Sequence, residues 1–189
     1  YRLCARSLDD DKATPSLVSA LCERARGHPL YLRYLVDLVN GGADVNDLEA
    51  LPPFSGSIED YYERIWSGLL VDADAINLLG IIARLRWGIP TSDLMGMLTA
   101  SESAVFVPTI TRIRHLLSGP STTEVYHSSF SDFVVHKTST QSDWIQGRLS
   151  DYCVQPGSGE YGELNRVFHG LLSRTEKKLT AIAECQQRW

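Results

Sequence analysis

Apolar residues recur along this chain mostly at intervals of three and four, the spacing that gathers side chains on one face of an α-helix. Leu17, Val18, Leu21 and Ala25 form the first stripe. Thr14-Pro15 ahead of it is a start signal: a hydroxyl cap, then a proline whose missing N–H would have no helical partner anyway. Gly27 stands where a left-handed residue ends a helix, and Pro29 opens the next one. Leu30, Leu32, Tyr34, Leu35, Leu38 and Val39 are too many for a single stripe, so this second helix is expected to be buried on most sides until Asn40-Gly41-Gly42 stops it. A polar link and the turn Leu51-Pro52-Pro53 lead to an amphipathic helix starting near Ser57. Ser57 and Asp60 make an approximate capping box there, and Ile58, Tyr61, Tyr62, Ile65 and Leu69 share the buried face.

A further helix is predicted from about Asp72 to Leu85, with Ile76, Leu79 and Ile82 inward, ending in the turn Gly88-Ile89-Pro90-Thr91. A short helix with Leu94, Met97 and Leu98 follows, then one from about Pro108 to Leu117 that turns Ile110, Ile113, Leu116 and Leu117 inward. Ser118-Gly119-Pro120-Ser121 is turn chemistry, and Thr123-Glu124-Val125-Tyr126 alternates as a strand does. Ser128 or Ser129 is placed to cap a helix whose Phe130, Phe133 and Val134 face the core. Three small helices, a β segment and a returning helix make a winged helix-turn-helix unit. Thr138 to Gln141 reads as a polar bridge to two more helical stretches, separated by Gly157-Ser158-Gly159, with Tyr161, Leu164, Phe168 and Leu171 at helical spacing. The expected fold is therefore mainly α: a helical bundle over 1–71, a winged helix with a short β wing over 72–137, and a helical region over 138–189. No internal repeat is visible.

Composition changes this picture little but excludes several functions. The 189 residues are 43% hydrophobic and 22% charged, as in ordinary globular proteins. A net charge of −5 disfavours a phosphate-backbone grip. Cys4, Cys22, Cys153 and Cys185 are far apart, without a metal knuckle, and read as small hydrophobes in a reducing cytoplasm. The longest apolar stretch, Leu78 to Ala83, is far too short to span a bilayer. Residue 1 is Tyr rather than Met, so the chain is expected to be an excerpt from something longer. Phosphate-cradling, dinucleotide, zinc-protease and nucleophile-elbow motifs are all missing. Asp9-Asp10-Asp11 follows Cys4-Ala5-Arg6-Ser7-Leu8, which is not an apolar strand, and reads as a solvated turn. No catalytic and no metal-binding residue is assigned.

Two short constellations remain. Gly27-His28-Pro29-Leu30-Tyr31-Leu32 is a rigid corner between helices with a proline ring at its apex. Tyr126-His127-Ser128-Ser129-Phe130-Ser131-Asp132-Phe133 sets a histidine between a strand and a helix N-terminus, where unpaired N–H groups favour anions. In this order, about a hundred residues apart, the two resemble the signal-transduction ATPases with numerous domains (STAND), in particular the NACHT-like branch. The first matches that family's Gly-x-Pro corner in a helical lid domain. In the second, His127, Ser129, Phe130, Asp132 and Phe133 match its winged-helix motif, and Ser57-Ile58-Glu59-Asp60-Tyr61-Tyr62 is similar to the segment joining the two domains.

The resemblance implies a cytoplasmic, nucleotide-gated switch. Gly27 would permit the close turn, Pro29 would line the adenine pocket and His127 would reach the β-phosphate of ADP, while His28 receives no role. ATP hydrolysis and Mg2+ would belong to a P-loop domain upstream, with no nucleotide expected for these 189 residues alone. A helical or repeat sensor would follow downstream, and activation would bring oligomerisation. Two other classes stay open on the residues themselves. One is a DNA-binding winged helix using Thr109, Thr111, Arg112, Arg114 and His115. The other is an interaction scaffold with no nucleotide role. Trp144, Tyr152, Tyr161, Phe168 and Trp189 read as core, the commoner place for aromatics at helical spacing, or as a protein-protein surface. Arg174, Lys177 and Lys178 read as a solvated face.

Overall fold

Helices follow one another almost without interruption through the computed structural model, which describes residue 8 and residues 13–70, 72–118, 122–125, 127–173 and 175–187. Cys4, Asp9-Asp10-Asp11, Gly119-Pro120-Ser121, Tyr126, Arg174 and Trp189 lie outside the described residues, as do the side chains of His115 and Lys177. The fold is mainly α, with one two-stranded sheet among the described residues. The described residues form two units: those up to Ser67 with Ile113–Leu116, and Gly68–Arg112 with those from Leu117 onward.

The first unit opens with α1 (Pro15–Ala25) and α2 (Pro29–Asn40). Both have proline in the first turn, and Leu17, Val18, Leu21 and Ala25 are buried as their spacing predicts. The 43–50 link is not wholly irregular: α3 (Val45–Ala50) forms there on a reciprocal cap. Asp47 N–H donates to Asp44 Oδ1 at 3.0 Å, and Asp44 N–H to Asp47 Oδ2 at 2.9 Å. Leu48 is the one buried residue of α3, so no apolar period announces it. In α4 (Ile58–Leu69), started by Asp60 N–H donating to Ser57 Oγ at 3.2 Å, Tyr61, Tyr62, Trp66 and Leu69 are buried. Ile58 and Ile65 are only half-buried, so Trp66 takes their expected place.

The second unit contains the winged helix-turn-helix order: α5 (Ala73–Ile82), β1 (Ile89–Pro90), α6 (Thr91–Gly96), α7 (Ala100–Ile113), β2 (Thr122–Thr123) and α8 (Ser128–Lys137). Ile89 pairs with Thr123 and Pro90 with Thr122, antiparallel, and Leu117 bridges Val125. Ile89-Pro90 is thus a strand as well as a turn. A larger difference concerns α7, which begins eight residues before Pro108 and carries that proline inside it. Thr99 N–H donates to Glu102 Oε2 at 2.7 Å and Glu102 N–H to Thr99 Oγ1 at 3.2 Å, a capping box that starts the helix early. Its buried face runs Glu102, Phe106, Thr109, Ile113, and the two polar members hide the period.

After a 3-10 turn at Ser139–Gln141 come α9 (Ser142–Cys153), α10 (Gly159–Leu172), packed on α9, and α11 (Thr175–Gln187), packed on α10. Gly80 of α5 lies against Ile145 of α9, so α9 also seats on the winged helix. Tyr161 is buried as expected, whereas Leu164 is 62% exposed. Thr138, read as part of a polar bridge, is core. It sits under Arg84, whose guanidinium donates to Thr138 Oγ1 at 2.7 Å, Thr138 O at 3.2 Å and Gly80 O at 3.1 Å. Among the described residues no helix is long and apolar enough to cross a membrane.

Candidate functional site

Gly27 and Pro29 lie in the first unit, at a corner built by two successive left-handed residues. Arg26 ends α1 at φ 47°, ψ 37°, and Gly27 follows at φ 78°. The expected left-handed cap therefore begins one residue before Gly27. Arg26 tolerates it because its N–H still closes onto Cys22 O at 3.1 Å. His28 N–H then donates to Ala25 O at 2.8 Å, and the chain turns directly into α2.

His28, given no role from sequence, is the N-cap of α2: its Nδ1 accepts the Tyr31 N–H at 3.3 Å. Its ring stacks on Phe54, centroids 4.1 Å apart. Phe54 belongs to a strap, residues 51–54, that is tied to the corner by three bonds. Phe54 N–H donates to Arg24 O at 2.9 Å, Arg24 Nη1 to Leu51 O at 2.9 Å, and the Tyr31 hydroxyl to Pro52 O at 2.8 Å. Tyr31 also meets Tyr61 edge-on, centroids 5.3 Å apart. Burial drives the Tyr61 hydroxyl upward, with the neighbouring Tyr34, Tyr31 and Tyr62 adding to it, so the cluster stays neutral. The outcome is a rigid corner that leaves the Pro29 ring exposed.

His127 lies in the second unit and caps α8, in place of the serines expected there. Nδ1 accepts the Ser129 N–H at 3.3 Å and lies 2.7 Å from Ser129 Oγ. A backbone N–H can only donate, so Nδ1 presents its lone pair and the neutral ring carries its proton on Nε2. The ring is exposed. Beneath it α8 is firmly held: Phe130 and Val134 are buried, Ser131 Oγ donates to Ala83 O at 2.7 Å, and Arg84 Nη2 reaches Val135 O at 3.4 Å. Phe133 is half-buried, stacked on Phe130 with Lys137 Nζ above it, and Asp132 is exposed.

The two helix starts share an electrostatic feature. Neither α2 nor α8 has an acidic residue in its first turn, a feature they share with α1 alone among the described α-helices. At either start the positive end of the helix dipole faces an imidazole with no carboxylate in the first turn, while the Tyr31 and Ser129 N–H groups are taken up by the histidine caps.

Other features of the second unit are less suited to nucleotide or DNA. On α7, Thr111 faces solvent, but Thr109 is buried and Arg112 Nη1 is engaged with Gly68 O at 2.5 Å; Arg114, also exposed, lies in the 3-10 turn that belongs to the first unit. A recess of about 180 Å³ lies among α9, α10 and α11, with Asp151, Arg166 and Thr180 in its wall, away from the winged-helix motif. Among the described residues no cluster of His, Cys, Asp and Glu fits a metal ion. Cys153 and Cys185 are free thiols, and burial pushes the Cys153 thiol up to about 11, which makes it a poor nucleophile. No protein-family model matches the chain, and no curated protein or solved structure is significantly similar to it.

Proposed function

We propose that this chain is the regulatory lid and winged-helix portion of a nucleotide-dependent switch of the STAND type, acting in the cytoplasm. What supports this reading above all is the state of His127: an exposed imidazole, bonded back to its own helix through Nδ1, whose Nε2–H is a donor at a helix start without carboxylates. That is the chemistry a β-phosphate oxygen requires. Pro29, exposed on a backbone that cannot flex, offers an apolar ring to an adenine. Gly27 supplies the turn that puts it there.

The nucleotide supplies the negative charge and the aromatic base that these groups recognise. As the resemblance implies, we assign Mg2+ and hydrolysis to a P-loop domain of the same switch. A downstream helical or repeat sensor would cover the exposed Leu172, Leu179 and Ile182 of α10 and α11, and activation would proceed through oligomers.

A hydrogen bond to a charged group contributes about 1.5–3 kcal/mol. His127→Ala is therefore expected to speed ADP release from the full-length protein about 10- to 150-fold and to raise basal activation. Pro29→Ala, which removes only ring contact, should give a smaller increase. A stopped-flow chase of a fluorescent ADP analogue checks both, and an unchanged release rate in His127→Ala overturns the reading. The chain by itself should release no phosphate from ATP above the buffer rate; sustained release by the 189 residues would place chemistry where this proposal puts none.

A further inference from the structure

His127 does not set its own tautomer. Histidine is an uncommon N-cap, because hydroxyl and carboxylate oxygens do that work without a choice of proton position. Here the choice is made by Ser129, two residues on, which approaches Nδ1 with both its N–H, at 3.3 Å, and its Oγ, at 2.7 Å. We propose that Ser129 is a positioning residue that holds His127 in the Nε2–H form, so that the far side of the ring is a hydrogen-bond donor to the phosphate of a nucleoside diphosphate. This rests on the function proposed above and adds the residue that tunes its central contact.

Donors and acceptors decide where the proton sits. Were the proton on Nδ1, the Ser129 N–H would face another donor, and Nε2 would present a lone pair that repels a phosphate oxygen. With the proton on Nε2, the Ser129 hydroxyl and N–H both donate inward and the ring donates outward. Ser129 itself is held because α8 is fixed: Ser131 bonds Ala83 O, and Phe130, next in the chain, is buried. Orientation and proton position are thereby set before any ligand arrives, which reduces the ordering cost of binding.

The 15N shifts of the imidazoles at pH above 8 read the proton position directly, with His127 assigned by the signal lost in His127→Gln. The wild-type chain and Ser129→Thr should show His127 as Nε2–H. Ser129→Ala keeps the backbone N–H but loses the hydroxyl, and should therefore show a fraction of Nδ1–H that the wild type lacks. Ser129→Asp, whose carboxylate can only accept, should draw the proton to Nδ1. In the full-length protein, Ser129→Ala should speed release of the fluorescent ADP analogue about 2- to 10-fold, as expected for weakening one hydrogen bond, and Ser129→Thr should restore it.

Identical His127 shifts in all four proteins, or an Nδ1–H ring in the wild type, overturn the positioning role. If His127→Ala speeds ADP release while Ser129→Ala changes neither tautomer nor release, the switch function stands and the role of Ser129 falls. If the tautomer responds as stated but ADP release does not, the phosphate contact is wrong and the proposed function falls with it.

Discussion

His169 has no exposure at all, and both ring nitrogens are committed: Nδ1 lies 2.7 Å from Gln146 Oε1 on α9 and Nε2 2.8 Å from the Tyr161 hydroxyl on its own helix. The amide oxygen can only accept, so Nδ1 carries the proton and Nε2 takes the tyrosine's. A second proton would set Nε2–H against Tyr161 O–H in a site already closed to water. Burial first, and then the positive charge of Arg86, lower the His169 pKa from 6.5 to about 4. Because the folded value lies below the unfolded one, the unfolded chain binds the proton first as pH falls. The neutral ring's full contribution is present above pH 6.5 and is lost between 6.5 and about 4; below that both states are protonated and nothing further is lost. The loss is about 3 kcal/mol. Urea unfolding of the wild type and His169→Asn at pH 7 and pH 4 should show the wild type's advantage shrinking by about that amount. Parallel stabilities at the two pH values would mean that His169 does not titrate in this range. The sequence places Tyr161 and Phe168 in a helix, but gives no sign that the histidine between α9 and α10 is the polar centre of their contact, because Gln146 is 23 residues away along the chain.

Elements were legible where apolar residues at helical spacing fill the buried positions. That holds for α1, α2, α4 and α5, whose starts are also marked by Thr14-Pro15, Pro29, Ser57 and Asp72. Where a helix is short, or buries polar groups, periodicity carries too little signal: α3 has only Leu48 to bury, and α7 turns Glu102 and Thr109 inward. Leu164 illustrates the converse, an apolar residue at helical spacing that faces solvent because α10 is covered by α9 and α11 on its other sides. The turn before α10 was legible as glycines, but the reason for one glycine after it was not. A Cβ on Gly162 would lie 2.0 Å from Ser158 Oγ, 2.4 Å from Ser158 Cβ and 2.9 Å from Cys153 O. The carbonyl ends α9 and cannot swing aside as a side-chain tip would. Gly162→Ala should therefore cost about 1–3 kcal/mol, against the gain alanine usually brings to a helix interior. Thermal unfolding checks it, and an unchanged or raised melting temperature would show that the 157–159 turn relaxes freely.

At the scale of the whole molecule, what sequence conveys are the two motif corners, since Gly27 marks a helix end and Pro29 and His127 mark helix starts by chemistry that is local. What it does not convey are the long-range ties: Phe54 against His28, Arg84 over Thr138, and the ion pair of Glu102 with Arg148, 46 residues apart in sequence. That pair joins the start of α7 to α9. Arg148 Nη1 meets Glu102 Oε1 at 2.5 Å, Nη2 bonds Met97 O, and the guanidinium lies over the Trp144 ring. Glu102 is 1% exposed, and burial alone would raise its pKa. The bond from Arg148, the Thr99 N–H and the charge of Arg148 outweigh that and hold the carboxyl below its usual value of 4.5. With the folded value depressed, the stabilisation is complete above the unfolded pKa and is lost as pH falls through the folded one, a window that opens where the loss from His169 closes. Glu102→Gln keeps the shape and part of the cap but leaves the guanidinium without its anion, at a cost of about 2 kcal/mol. Because one carboxylate serves both elements, its loss should loosen them together: hydrogen exchange at pH 7 should quicken in the first turn of α7 and across α9 in the same variant. Faster exchange confined to α7 would show that the cap with Thr99 matters and that the tie to α9 carries no load.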